Sequence, residues 1–309
     1  MFTPRIEDHL EMGIVINAMY PDAVQEDETL LQAVDHILHD MYFQRIEVSG
    51  IRNPDSRAKL KQRLDICRMK NSYLAQPAIF REQLDLGSLD EAVRSKALEH
   101  MLNGLAEAEA VGADMFEIIS GPNIEENRSL AIERFAESAL YLGEQAQARN
   151  IKLLVEMFDY DVDKKRLIGS VEDTIRLFQL IKPTDNVKLL LDLSHIPMVR
   201  ADIAAAVHEL SPWIGHVHVG NTVMQTADFR YGDSHPYFGY PLGENDREQL
   251  VIYFHSLLRA GYIHETRASS ISFELICAST ERPSDLIANA KRTLQQAWRE
   301  FLCESRDCN

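Results

Sequence analysis

Eight short apolar runs, each followed by residues with helical spacing or by a loop leading into them, divide this 309-residue chain into strand–helix units. The runs are EMGIVINAM (11–19), RIEVSG (45–50), NSYLAQPAI (71–79), ADMFEIISG (113–121), IKLLVEMF (151–158), VKLLLDLSH (187–195), IGHVHVGN (214–221) and ISFELI (271–276). Several are apolar almost without interruption, as expected of parallel strands covered on both faces. Between them lie amphipathic stretches. In 28–41, Leu30, Leu31, Val34, Ile37, Leu38 and Met41 recur at helical spacing, and in 284–302 the stripe is Leu286, Ile287, Ala290, Leu294, Ala297, Trp298 and Phe301. Ser88 with Glu91, Asn127, Ser170 with Asp173, and Asp202 are the expected helix starts, Gly112 is a C-terminal stop, and Pro77 is expected to end the third strand.

Eight such units suit a closed (β/α)8 TIM barrel formed by the whole chain, 1–309, as a single domain. An open doubly wound sheet competes, but it would carry a glycine-rich phosphate loop after the first strand, and none stands there. One connection is too long for the pattern. Residues 221–246, NTVMQTADFRYGDSHPYFGYPLGEND, follow the seventh strand without periodicity and are expected to arch over the barrel mouth.

Four strands end in side chains of metal-binding type: Glu156, Asp192 with His195 three residues on, His218 with His216 one pleat below, and Glu274. Strand parity puts Leu154 with Glu156, Leu190 with Asp192, His216 with His218 and Ser272 with Glu274 on common faces. If those faces line the barrel, Glu156, Asp192, His218 and Glu274 converge at its C-terminal mouth. Three buried carboxylates at one point repel unless a cation lies between them. A set this rich in oxygen favours Mn²⁺, with Mg²⁺ or Co²⁺ as alternatives. Such an ion could stabilise an enediolate formed from a sugar, with Glu156 and Glu274 as proton carriers and His195 holding a substrate oxygen.

The bland alternatives are specific. Asp192 and His195 could cap a strand–helix junction, and Glu156 or Glu274 could pair with Arg166 or Arg282. His216 reads as a hydrogen-bonded interior histidine. Glu47 and Glu117 read as surface or salt-bridged groups, and Cys277 as packing.

The order strand–Glu, Asp-x-x-His, His-x-His, strand–Glu resembles the xylose isomerase-like barrel superfamily of sugar isomerases and epimerases. The resemblance runs from residue 12 to residue 300. In ketose 3-epimerases of that group the metal ligands match Glu156, Asp192, His218 and Glu274, the two glutamates serve as acid and base, and the position of His195 contacts substrate. Two positions depart from the pattern. Met224 stands where those enzymes carry a substrate-binding arginine and Val162 where they carry a glutamate, which argues against a simple free-ketohexose epimerase. The loop containing His235 and Tyr237, here expected to touch substrate, is similar to that of branches including the large subunits of C-glycoside deglycosidases. The resemblance therefore implies a metal-dependent isomerase or epimerase acting next to a carbonyl. A carbon–oxygen or carbon–carbon lyase acting on 3-keto-glycosides is the alternative, and a catalytically silent barrel subunit the second. It also implies a homo-oligomer, with a second subunit type left open.

Composition narrows the partners. A formal charge of −16 and the lack of a basic, aromatic-rich cluster disfavour nucleic acid and anionic membranes, leaving a small carbohydrate as the expected ligand. Cys67, Cys277, Cys303 and Cys308 form no CxxC pair, and the N-terminus has no apolar run of signal-peptide length, so a cytoplasmic protein with reduced thiols is expected.

Overall fold

Alternate residues of the apolar runs part to opposite sides of one closed sheet. The computed structural model describes residues 2–181, 184–265 and 269–307; Cys308 lies outside them. Eight parallel strands pair in chain order and close on themselves: β1 Leu10–Val15, β2 Arg45–Val48, β3 Lys70–Leu74, β4 Met115–Ile119, β5 Lys152–Glu156, β6 Val187–Asp192, β7 Ile214–Val219 and β8 Ser269–Phe273. The outer helices are α1 Asp27–Leu38, α2 Pro54–Cys67, α3 Glu91–Ala110, α4 Arg128–Gln147, α5 Val171–Leu180, α6 Ile203–Leu210, α7 Arg247–Arg259 and α8 Pro283–Asp307. This is a (β/α)8 TIM barrel. No helix among the described residues is long and apolar enough to cross a membrane.

Outward-facing Leu153, Val155, Leu189, Leu191, Val217, Val219, Ile271 and Phe273 join the main core against the helices. Inward-facing Leu154 and Leu190 instead pack with Met115 as a separate small cluster inside the barrel. The parity read from the sequence is therefore the parity of the fold. Below this layer the buried Arg45 guanidinium binds Glu11, Ser72 and Asp114, tying β1, β2, β3 and the entry to β4 together. With carboxylates on two sides, the charge is compensated where an unpaired cation would be costly.

Several boundaries differ from the periodicity. β1 stops at Val15 and the chain turns at once into a short helix, Ile16–Met19. α1 stops at Leu38, leaving Met41 91% exposed beyond it. Pro77 sits in the first turn of a helix, Gln76–Glu82, where its missing N–H costs nothing; β3 has already ended at Leu74. Asp90, not Ser88, caps α3 by accepting from Ala92 N, and Asn127 begins α4 from a left-handed conformation without a side-chain cap. Ser170 and Asp202 cap α5 and α6 as read, and Gly112 follows α3 at φ +72°, a conformation that glycine adopts freely.

The connection between β7 and α7 is folded on itself. Asn221 Oδ1 accepts from Thr222 N and Asn245 N, while Asn245 Nδ2 donates to Leu193 O and Gly220 O, pinning the loop base to the ends of β6 and β7. Arg230 reaches Ser234 O, Ile276 O and Glu281, fixing the far side to the segment after β8. Its position over the mouth agrees with the expectation from its length.

Candidate metal centre

Glu156 ends β5, Asp192 ends β6, His218 is the penultimate residue of β7, and Glu274 directly follows β8. One ligand atom from each lies within 4.8 Å of the others. Asp192 is paired with His218 across β6–β7, and His218 with Ser272 across β7–β8, so strand register brings three neighbouring elements to one level. Asp192 and His218 are fully buried and Glu156 nearly so; Glu274 alone reaches solvent, with 20% of its side chain exposed.

The hydrogen bonds satisfy only one oxygen each of Asp192 and Glu156. Asp192 Oδ1 accepts from Ser194 N at 2.8 Å and Glu156 Oε2 from Gln76 Nε2 at 3.0 Å. Asp192 Oδ2 and Glu156 Oε1 are buried and accept nothing. A buried acceptor without a partner is unfavourable, and two on adjacent carboxylates are more so. A divalent ion fits this donor set, since it would satisfy both orphaned oxygens together with Glu274 and His218. The set is three hard carboxylates and one imidazole.

Charge is uneven across the cluster. Burial pushes the Glu156 carboxyl up to about 8, with His195 opposing and Glu274 and Asp192 adding to the rise. Burial works the same way on Glu274, but His235 and His218 outweigh it and hold that carboxyl below its ordinary value. Burial would lower His218, yet the flanking Glu47 and Glu274 carboxylates raise it well above the usual imidazole range. Two glutamates at one site thus differ in proton affinity in the metal-free chain.

His195 lies over the cluster against Phe158, with ring centroids 4.3 Å apart. Its Nδ1 donates to Met157 O at 2.8 Å, which fixes the ring and turns Nε2 toward the mouth, 3.6 Å from Asp192 Oδ2 and 3.0 Å from Asp233 Oδ1. His235 is also buried here. Its Nδ1 lies 3.0 Å from Glu274 O and its Nε2 2.5 Å from the same Asp233 oxygen. His235 has φ +40°, a left-handed conformation that costs an L-residue about 1–3 kcal/mol and concentrates at functional sites. Tyr237, two residues on, is half-buried, packed against the hydrophobic core and edge-on to Tyr240.

Other expectations resolve similarly. Arg166 stacks over Phe80 at 4.2 Å and Arg282 pairs with Asp285, so neither neutralises Glu156 or Glu274. His216 is the interior histidine expected, bonded to Ser270 and Glu47. Cys277 packs in the core. Glu47 and Glu117 are not surface groups: both are fully buried beneath the cluster, because β2 and β4 turn these positions inward. Glu47 binds two histidines, and Glu117 accepts from Gln76.

Sequence reasoning passed over three participants. Gln76 lies just past the end of β3, at the start of a helical turn where strand alternation no longer assigns a face. Asp233 sits in the irregular loop, which has no period to read. Gly220 follows β7, and a Cβ there would lie 2.4 Å from Glu274 O, 2.5 Å from Ser194 Oγ and 2.9 Å from His235 Nδ1. Gly220→Ala is therefore expected to cost about 1–3 kcal/mol by overpacking and to weaken metal binding by displacing Glu274. Urea unfolding and metal titration of the same variant measure the two effects, and unchanged values in both would contradict the close approach.

Fold and site together define an eight-fold α/β barrel whose C-terminal mouth gathers carboxylates and imidazoles around one point. The chain belongs to the xylose isomerase-like TIM barrel family, whose model matches residues 37–296. Among solved structures it is similar to a D-psicose 3-epimerase from Clostridium cellulolyticum H10, determined with D-tagatose, at 16% identity over 96% of this chain and 98% of that one, TM-score 0.62. It is similar also to the IolI protein with a bound zinc atom, at 15% identity over 94% and 99%, TM-score 0.72. A third likeness is to the apo form of a 3-keto-D-glucoside 4-epimerase from E. coli, at 16% identity over 97% and 100%, TM-score 0.63. At such identities these likenesses are of fold. No curated protein sequence matches the chain significantly.

Proposed function

We infer that this protein is a divalent-metal-dependent isomerase or epimerase of a small carbohydrate, working by proton abstraction next to a carbonyl. The observation that carries the reading is the pair of orphaned oxygens, Glu156 Oε1 and Asp192 Oδ2, converging with His218 and Glu274. Glu156, Asp192, His218 and Glu274 would hold the ion, with Mn²⁺ preferred by the oxygen-rich set. When bound, it supplies electrophilic stabilisation of negative charge on neighbouring sugar oxygens.

The residues divide the remaining work. Glu274, ionised and partly open to solvent, removes the proton from the carbon beside the carbonyl. Glu156, the more deeply buried of the two glutamates, returns a proton from the opposite side. His195 Nε2, set by the Met157 carbonyl behind it, holds a substrate oxygen, and His235 lines the same wall. The loop carrying His235 restricts water above them.

A lyase acting on 3-keto-glycosides is the second reading. Val162 is buried and Met224 apolar at positions where a free-ketose epimerase would need hydrogen-bonding groups, which favours a bulkier or derivatised sugar.

Incubation in D₂O with Mn²⁺ and a panel of ketoses, 3-keto-glycosides and C-glycosides tests this. Metal-dependent exchange of the proton beside the carbonyl is expected for at least one class, lost on chelation and restored by Mn²⁺. Epimerised sugar supports the first reading and a released aglycone the second. No exchange with any of them would refute proton abstraction.

A further inference from the structure

Beneath the four converging ligands, the Glu47 carboxylate bridges two imidazoles. His216 Nε2 lies 2.8 Å from its Oε1 and His218 Nε2 2.8 Å from its Oε2, with all three side chains fully buried. On the far side of His216, Nδ1 lies 2.6 Å from Ser270 Oγ, and the Ser270 carbonyl accepts from Tyr262 Oη at 2.6 Å. The two rings stand nearly perpendicular, 89° apart with centroids separated by 5.1 Å, so each can point one nitrogen at a different oxygen of the same carboxylate. The chain of contacts thus runs from the barrel interior at β8, through β7, to β2, and back to His218 on β7.

An ionised carboxylate only accepts hydrogen bonds. Both Nε2 atoms facing Glu47 must therefore carry their protons. An imidazole that binds a metal is neutral, with one protonated and one free nitrogen, and for His218 holding a cation the free one is then Nδ1, the atom that lies 2.7 Å from Glu274 Oε2. We propose that Glu47 is a positioning residue that fixes His218 as the Nε2–H tautomer and so presents Nδ1 to the cation, with His216 and Ser270 holding the Glu47 carboxylate in place. This rests on the metal-centre reading above. Outer partners of this kind orient metal-ligating histidines and raise their basicity, and losing one typically costs 10–100-fold in metal affinity.

The same four side chains allow a competing arrangement. Glu47, Glu117, His216 and His218 also lie close enough to hold a cation of their own. In that case His218 Nε2 would bind metal instead of donating to Glu47, and the wild-type chain would take up two equivalents.

The test is titration of the purified full chain with Mn²⁺, wild type against Glu47→Gln and Glu47→Asp. The Gln amide turns an oxygen to one imidazole and an NH₂ to the other, so it cannot accept from both. One equivalent of Mn²⁺ is expected in wild type, with Kd raised about 10–100-fold in Glu47→Gln and partly recovered in Glu47→Asp. An unchanged Kd in folded Glu47→Gln would overturn the relay while leaving the metal centre standing, as would two equivalents bound by wild type. A wild-type chain that takes up no Mn²⁺ overturns both readings. Should Glu47→Gln fail to fold, ¹⁵N NMR of histidine-labelled wild type loaded with diamagnetic Zn²⁺ decides the point. A proton on His218 Nε2 is expected, and one on Nδ1 contradicts the proposal.

Discussion

Replacing His218 with alanine is expected to abolish divalent-cation binding at the proposed centre and reduce turnover to background. The imidazole is the one nitrogen ligand in the set, and it sits between Glu47 and Glu274 with a nitrogen 2.8 Å from one and 2.7 Å from the other. Its removal deletes a ligand outright, so the loss of metal affinity should exceed the 10–100-fold that follows loss of an outer partner. It also leaves two carboxylates short of a counter-charge. Removing one member of a buried pair costs about 3–5 kcal/mol, so His218→Ala should unfold at lower urea even without metal. Metal analysis after gel filtration and urea unfolding of the metal-free chain are the measurements. A variant that retains stoichiometric metal would remove His218 from the centre.

Glu274→Gln should behave differently, costing activity far more than fold. The amide keeps the shape of the side chain and can still accept from His218 Nδ1 in the metal-free chain, and Glu274 is the one candidate ligand that reaches solvent, so the stability change should be small. What is lost, in the proposed mechanism, is the base. Positioned proton transfer contributes roughly 10²–10⁴-fold to a rate, and a loss in that range is expected for exchange of the substrate proton. A neutral ligand also binds the cation less tightly, so the comparison belongs at saturating Mn²⁺. Wild-type exchange under those conditions would rule Glu274 out as the proton carrier. The two variants separate holding the metal from moving the proton.

Glu156, Asp192, His218 and Glu274 could be picked from the linear chain because each stands at the end of an apolar run, where a period of two assigns its face. Their neighbours could not. Glu47 also ends a run, but its meaning depends on His218, 171 residues away, and nothing local separates such a carboxylate from one in solvent. Gln76 lies past the end of β3, where a period of two is no longer assured, and Pro77 suggested a stop where the chain begins a helical turn. His235 could have been an exposed loop residue. Its burial follows from the way Asn221, Asn245 and Arg230 fold the loop back onto the strand ends.

Asp233 is the clearest instance. It is the acid on which His195 and His235 both converge, with Lys164 3.3 Å from its other oxygen, yet it stands in an aperiodic stretch among unremarkable neighbours. The order of the strands, the side of the sheet each residue faces and the four ligand candidates are properties of sequence alone, because backbone alternation and hydrophobic periodicity act over a few residues. Which carboxylates are charged, which histidine nitrogen is free and what closes the mouth were decided only by the folded barrel. Those properties depend on burial and on partners tens to hundreds of residues distant, and electrostatics in a dry interior responds to distance in space.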